Sequence, residues 1–195
     1  MAASSSVRTP RLVWVLLGLW ALLALVLSAG GALTRIFPPL FAFGFTALAL
    51  VALVFVPTLR RWAETVSLRP LVLYHTVRFV GVAFLVLEAQ GRLPAEWAIP
   101  AGWGDIAAAI GALAVAVLAL PITSRGHWGA VLGWNVFGLL DILAVLGGAI
   151  RIARTDLSLL EPLTQVPLGL LPTFIVPLIL VSHGLIFWRL AKERF

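Results

Sequence analysis

Long apolar stretches separated by short polar turns dominate the chain. A helix that crosses a bilayer needs about 20 consecutive, mostly apolar residues. Because the turns between the stretches are short, the pattern predicts an all-α fold, in which residues 1–195 form a single six-helix transmembrane domain. The six predicted spans are residues 12–33, 39–59, 71–89, 106–123, 129–150 and 166–190.

The longest predicted connection, residues 90–105, contains two prolines and two tryptophans. Tryptophan favours the membrane–water interface, so we expect a short amphipathic piece there, with Trp97 and Trp103 as anchors. Asp105 at its end is expected to be the N-cap of the fourth span. More generally, the acidic residues of the outer loops are expected to be solvated or to cap helices: Glu88, Glu96, Asp105, Asp156 and Glu161.

The composition agrees with a membrane protein. Hydrophobic residues make up 62% of the chain and charged residues 11%, and the mean hydropathy is +1.08. Soluble domains average about 45–50% apolar and about 25% charged residues. A soluble enzyme, a disordered chain, a coiled coil and a collagen-like repeat are therefore excluded. There is no cysteine, which removes disulfides, thiolate catalysis and thiolate metal sites.

The net charge of +6 predicts the orientation of the chain. Lys and Arg collect in cytoplasmic loops, so we expect contact with membrane lipids and no nucleic-acid partner. With a cytoplasmic N-terminus, four arginines fall outside (Arg35, Arg92, Arg151, Arg154) and nine basic residues inside (Arg8, Arg11, Arg60, Arg61, Arg69, Arg125, Arg189, Lys192, Arg194). We therefore expect both chain ends in the cytoplasm. The abundance of Ala, Leu and Arg is typical of GC-rich bacteria, which favours a bacterial inner membrane.

A cleaved signal peptide is the alternative interpretation of the first apolar stretch. Arg8 and Arg11 precede it, and the small residues Ser28-Ala29-Gly30 follow the apolar run. The run is longer than the apolar core of about 7–15 residues that signal peptides carry. We expect it to remain as a span; cleavage would leave five.

Polar side chains within the spans are the candidate functional residues, because each ionisable group in hydrocarbon costs about 2.5–3.5 kcal/mol on insertion scales. They are His75 and Arg78 in the third span, Asn135 and Asp141 in the fifth, and His183 in the sixth. At about 1.5 Å per residue, Asp141 lies about one helical turn deeper than the other four, which share one level. Arg78 and Asp141 are expected to form an ion pair around which the third, fifth and sixth spans meet.

Pro177 in the sixth span leaves a backbone carbonyl that requires a hydrogen-bond partner. A proline within a helix frees the carbonyl four residues earlier, which is that of Thr173. In a membrane that carbonyl needs a hydrogen-bond donor.

Our hypothesis from the sequence is that the protein moves or senses a small solute or a proton. An inner-leaflet polar cavity would be formed by His75, Arg78, Asn135, Asp141 and His183. One alternative is a redox protein with b-type haem between His75 and His183. Another is an accessory or scaffold subunit of a membrane complex or homo-oligomer. We identify no metal site, no catalytic residue and no Gly-rich phosphate loop, HExxH or Gly-x-Ser-x-Gly motif, which favours a role without catalysis.

Overall fold

The computed structural model of the protein describes residues 9–192. This part is 85% helical and has no strands, and six of its helices are long and apolar enough to cross a membrane. The predicted all-α fold with six spans is therefore confirmed. Arg8 and Arg194, which count towards the predicted orientation, lie outside the described residues.

Each span is one helix or a stack of shorter helices, and most turns between them are short. The α-helices in chain order are α1 (Arg11–Ala29), α2 (Ala32–Arg35), α3 (Pro38–Phe55), α4 (Pro57–Thr65), α5 (Leu68–Tyr74), α6 (Gly81–Ala89), α7 (Ala95–Leu118), α8 (Arg125–Thr155) and α9 (Val176–Leu190).

The third span changes its winding in the middle. Residues His75–Val80 form a 3₁₀ helix between α5 and α6. Side chains three residues apart eclipse one another in 3₁₀ geometry, so His75 and Arg78 lie one above the other. The sixth span has a wider π-helical turn, Leu171–Ile175, directly before α9. A second 3₁₀ segment, Leu157–Thr164, follows α8.

The fourth span begins earlier than predicted. Helix α7 starts at Ala95, and Pro100 lies inside it. The predicted surface segment over residues 90–105 is therefore wrong, because membrane helices tolerate internal proline and glycine where neighbouring helices satisfy the backbone. Asp105 is not an N-cap: it lies ten residues into the helix, about 15 Å from its start, and is buried.

The two tryptophans of this region also differ from the prediction of two surface anchors. Trp103 is exposed, whereas only 4% of Trp97 is exposed. The Trp97 indole Nε1 donates to the carbonyl of Val145 on α8, 3.0 Å away. Trp97 therefore joins two helices inside the bundle.

Glycines let α7 approach both neighbouring spans. A Cβ placed on Gly81 would overlap the carbonyl oxygen of Gly102 and would lie 2.9 Å from the Cβ of Asp105. A Cβ on Gly104 would overlap the carboxylate of Asp141. Such close contacts between small residues are a common way of packing membrane helices. They bring both aspartates to the level of Arg78.

Helix α1 contacts the sixth span through Trp20 in its middle and has a further contact near its end. The Trp20 indole Nε1 donates to the carbonyl of Thr173 at 2.8 Å. This is the carbonyl that Pro177 leaves free, so the partner expected from the sequence is present. Ser28 packs against Gly169 near the end of the same helix.

The two ends of the bundle differ in charge. At one end, Arg189 donates to the carbonyls of Glu64 and Val66, and Arg69 donates to that of Leu120. We call this the basic end, because within residues 9–192 it holds one acid, Glu64, and seven basic residues: Arg11, Arg60, Arg61, Arg69, Arg125, Arg189 and Lys192. The opposite, balanced end holds four of each sign: Arg35, Arg92, Arg151, Arg154, Glu88, Glu96, Asp156 and Glu161.

Candidate functional site: a buried arginine, two aspartates and two histidines

Arg78 is fully buried and uses its guanidinium on three partners. Its Nε donates to Oδ1 of Asp105 at 2.6 Å, and its Nη1 donates to the carbonyl of Gly138 at 2.8 Å. Its Nη2 donates to Oδ2 of Asp141. The ion pair between Arg78 and Asp141 that we expected from the sequence is therefore present.

Asp105 is the member of this network that the sequence analysis missed. It places a second carboxyl on Arg78, so Arg78 and Asp141 are not the only opposite charges deep in the spans. The side chains of Asp105 and Asp141 are 5% and 15% exposed. With both carboxyls ionised the three groups carry a net charge of −1. A charge of this kind is costly in hydrocarbon unless a proton or another cation balances it.

His183 stands beside the guanidinium with one ring nitrogen free. Its Nδ1 lies 2.7 Å from Oδ1 of Asn135, whose Nδ2 donates to the carbonyl of His183. An amide oxygen only accepts, so Nδ1 carries the hydrogen and Nε2 is a bare acceptor. Nε2 is buried without a partner. A Cβ on Gly138 would lie 2.9 Å from Cε1 of His183 and 3.3 Å from this nitrogen, so a larger residue would press against the ring.

His75 resembles His183, because one of its ring nitrogens is hydrogen-bonded and the other has no partner. Its Nε2 lies 2.9 Å from Oγ of Ser182, and that hydroxyl donates to the carbonyl of Ile179 at 2.8 Å. With the single hydroxyl hydrogen on that carbonyl, Ser182 accepts from Nε2–H of His75, and the Nδ1 of His75 is then bare. This nitrogen too is buried without a partner.

The two imidazoles are in direct contact, with ring centroids 4.3 Å apart. The indole of Trp134 packs edge-on against His75 at 5.0 Å and donates to the carbonyl of Ala108. Trp134 therefore covers one side of the imidazole pair with an apolar surface. The result is a buried cluster of ionisable groups that continues from the two carboxyls through Arg78 and His183 to His75 and Ser182.

The geometry does not fit a haem between His75 and His183. Two axial histidines would have to lie on opposite faces of the macrocycle. Rings that are 4.3 Å apart leave no space for a layer between them, and each ring already uses one nitrogen on Ser182 or Asn135. Over residues 9–192, no group of three His, Cys, Asp or Glu side chains is placed to hold a metal ion.

Two cavities reach this cluster from opposite ends of the bundle. A cavity of about 80 Å³ is lined by Arg78 and Asp105 and extends to Pro39 and Thr164, near the balanced end. A larger cavity, about 540 Å³, touches the cluster at Ser182 and extends to the basic end. The cluster therefore occupies the space between the two cavities.

The structure brings together all five candidate residues from the sequence: His75, Arg78, Asn135, Asp141 and His183. It adds Asp105, Ser182 and Gly138. A signal for Asp105 exists in the sequence, because a fourth span that starts after Pro94 places this carboxyl near mid-membrane. Ser182 is visible as a polar neighbour of His183, whereas the role of Gly138 depends on contacts between helices.

Comparison with curated proteins and comparison with solved structures each found no match. Residues 36–191 match a family described as "Domain of unknown function (DUF8737)". The matched region covers five of the six spans and every residue of the buried cluster. The chain therefore belongs to the family of domains of unknown function DUF8737.

Proposed function

We propose that this multi-pass membrane protein passes protons between its two cavities through the buried cluster. The observation that carries the proposal is the pair of bare, buried imidazole nitrogens beside a network with one more carboxyl than cation. The proposal rests on the carboxyl, imidazole and hydroxyl groups that lie around Arg78 between the two cavities, each of which can take and release a proton.

Charge balance supports a proton in the cluster. Arg78 neutralises one of its two carboxylates, so one proton on the other makes the network neutral, as hydrocarbon requires. That proton has two acceptors nearby, since Nε2 of His183 and Nδ1 of His75 have no hydrogen-bond donor. An imidazole can take up and release a proton at either ring nitrogen, which makes histidine a common relay group.

The steps of the relay balance in protons. A carboxyl of the Arg78 network releases its proton to the bare nitrogen of His183. The proton next occupies the bare Nδ1 of His75. His75 then carries a hydrogen on both ring nitrogens. The ring turns about its Cβ–Cγ bond, releases the Nδ1 hydrogen past Ser182 to the larger cavity, and turns back. The Nε2 hydrogen is kept throughout, so the starting tautomer is restored.

We also propose that the basic end faces the cytoplasm of a bacterial cell. Seven basic residues against one acid at that end, and four against four at the other, match the positive-inside rule. The chain has no cysteine, so single cysteines at Thr65 and Gln90 can be labelled selectively with an impermeant maleimide. In intact cells we expect labelling of Gln90→Cys alone; labelling of Thr65→Cys alone would reverse the orientation.

Proton flux into liposomes tests the relay directly. The purified protein is reconstituted with an internal pH-sensitive dye, and a potassium diffusion potential drives protons inward. We expect the wild type to acidify the lumen faster than empty liposomes, and His75→Gln and His183→Gln to act like empty liposomes.

The third histidine supplies the matched control. His127 is half-buried at the start of α8, away from the buried cluster, and hydrogen-bonds Thr123 and Ser124 at the helix end. We expect His127→Gln to conduct like the wild type. If the wild type shows no flux above empty liposomes, the relay is excluded and a scaffold role, with Arg78 as a structural ion-pair centre, becomes the better explanation.

A further inference from the structure

The proton relay does not require a cavity as large as the one that touches Ser182. Its volume of about 540 Å³ lies within the range of about 300–1,000 Å³ that ligand sites occupy. Its walls come from α1, α3, α4, α5 and α9 and are almost entirely apolar, with Leu17, Leu53, Leu71 and Leu185 among them.

Helix α1 closes one side of the cavity. Trp20, in the middle of α1, donates to the carbonyl of Thr173, and Ser28 near its end packs against Gly169. The first half, from Thr9 to Leu17, forms one wall of the cavity and faces α4 and α5 across it. An apolar space of this kind suits a hydrocarbon chain.

The mouth of the cavity carries positive charge. Thr9, Trp62 and Val66 line it at the basic end. Arg189 donates to the carbonyl of Val66, and Arg11 and Arg61 are exposed next to lining residues. A lipid phosphate at this level gains favourable charge contacts, and each arginine near a membrane surface strengthens anionic lipid binding about fivefold.

We propose that this cavity is a binding site for one anionic phospholipid. An acyl chain occupies the space between α1, α3 and α9, and the phosphate lies at the mouth beside Arg11, Arg61 and Arg189. The end of the chain reaches the level of Ser182, so a bound lipid controls how much water enters the cavity on that side of the cluster.

Native mass spectrometry tests the site with two lipids that have the same acyl chains. Phosphatidylglycerol is the anionic probe and phosphatidylcholine the zwitterionic one. We expect the wild type to retain one phosphatidylglycerol and to retain phosphatidylcholine much less. Arg11→Gln with Arg61→Gln is expected to weaken phosphatidylglycerol retention about 25-fold, and Arg35→Gln at the balanced end to leave it unchanged.

A second pair of variants tests the cavity itself. Ala49 and Ala52 of α3 line it, whereas Ala47 on the same helix is exposed and does not. Ala49→Phe with Ala52→Phe fills the space, so we expect loss of the retained lipid, while Ala47→Phe retains it.

Equal retention of the two lipids, or full retention by the filled variant, would overturn the proposal. Should the filled variant not fold, the exposed arginine variants still decide the question. The measurement contains no proton gradient, so its outcome is independent of the flux assay.

Discussion

Replacing Arg78 with glutamine gives the sharpest test of the buried network. The side chain is fully buried and donates to two carboxylates and to the carbonyl of Gly138. Removing one partner of a buried ion pair costs about 3–5 kcal/mol, because the remaining charge is left without compensation. Folded domains are stable by about 5–15 kcal/mol, so this loss is a large share of the total.

Because Arg78 faces two carboxylates, replacing one carboxylate is expected to destabilise the protein less than replacing Arg78. Asp105→Asn retains an oxygen that accepts from Nε of Arg78 and makes the remaining charges equal and opposite. We expect it to lower the free energy of unfolding by about 1 kcal/mol, which is the usual contribution of one hydrogen bond. Arg78→Gln combined with Asp105→Asn and Asp141→Asn leaves no charge in the network. This triple variant is expected to be at least about 2 kcal/mol more stable than Arg78→Gln alone.

The free energies are measured by titrating mixed micelles with dodecyl sulfate and following tryptophan fluorescence and helical circular dichroism. Arg78→Lys is the matched control for charge, since lysine keeps the cation but cannot reach three partners in a fixed plane. We expect it to lie between the wild type and Arg78→Gln. If Arg78→Gln costs less than about 1 kcal/mol, or if the triple variant is no better, the three charges are not a desolvated network and the charge argument fails.

Three further predictions concern contacts between the helices, and each is measured as a change in the midpoint of the same unfolding titration. Gly138→Ala places a methyl group 2.9 Å from the ring of the neighbouring histidine and should cost about 1–3 kcal/mol, whereas Gly133→Ala on the same helix meets open space and should not destabilise the protein; equal effects would contradict this packing. Gly81→Ala overlaps a backbone carbonyl of α7, so we expect a loss at least as large as that of Gly138→Ala. Trp20→Phe removes the donor to the carbonyl that the proline of the sixth span frees and should cost about 1–2 kcal/mol, while Trp14→Phe, which is exposed, should change the stability by less than about 0.5 kcal/mol; a neutral Trp20→Phe would show that water satisfies this carbonyl.

The six spans and the central ion pair were predictable because both follow from simple arithmetic. Apolar runs of about 20 residues identify the spans, and a rise of about 1.5 Å per residue gives the depth of each polar side chain. Depth alone brought His75, Arg78, Asn135 and His183 to one level. The need of a buried cation for an anion then selected Asp141.

Asp105 was not predicted because proline and glycine have a different meaning in a membrane helix. The two prolines and two glycines around Trp97 and Trp103 indicate a loop when judged by the behaviour of soluble proteins. In the bundle, α7 continues through Pro100, and its glycines are the points where neighbouring spans come closest. Such contacts between helices have no signature in the sequence of one helix.

The large cavity also could not be derived from hydrophobic periodicity. Its walls come from five helices, and the position of α1 among them depends on contacts such as those of Trp20 and Ser28, which are a property of side-chain packing. The tautomers of His75 and His183 could not be derived from the sequence either, because they depend on hydrogen bonds to Ser182 and Asn135 on other spans.

The 3₁₀ segment of the third span has a mechanical consequence. Its six residues rise about 2.0 Å each in place of about 1.5 Å, and each advances by about 120° in place of about 100°. Rewinding the segment to α geometry would shorten the span by about 3 Å and turn Arg78 by about 60° relative to His75. A change of pitch over about two turns would therefore draw the ends of the span about 3 Å closer together and turn the guanidinium relative to the imidazole of His75.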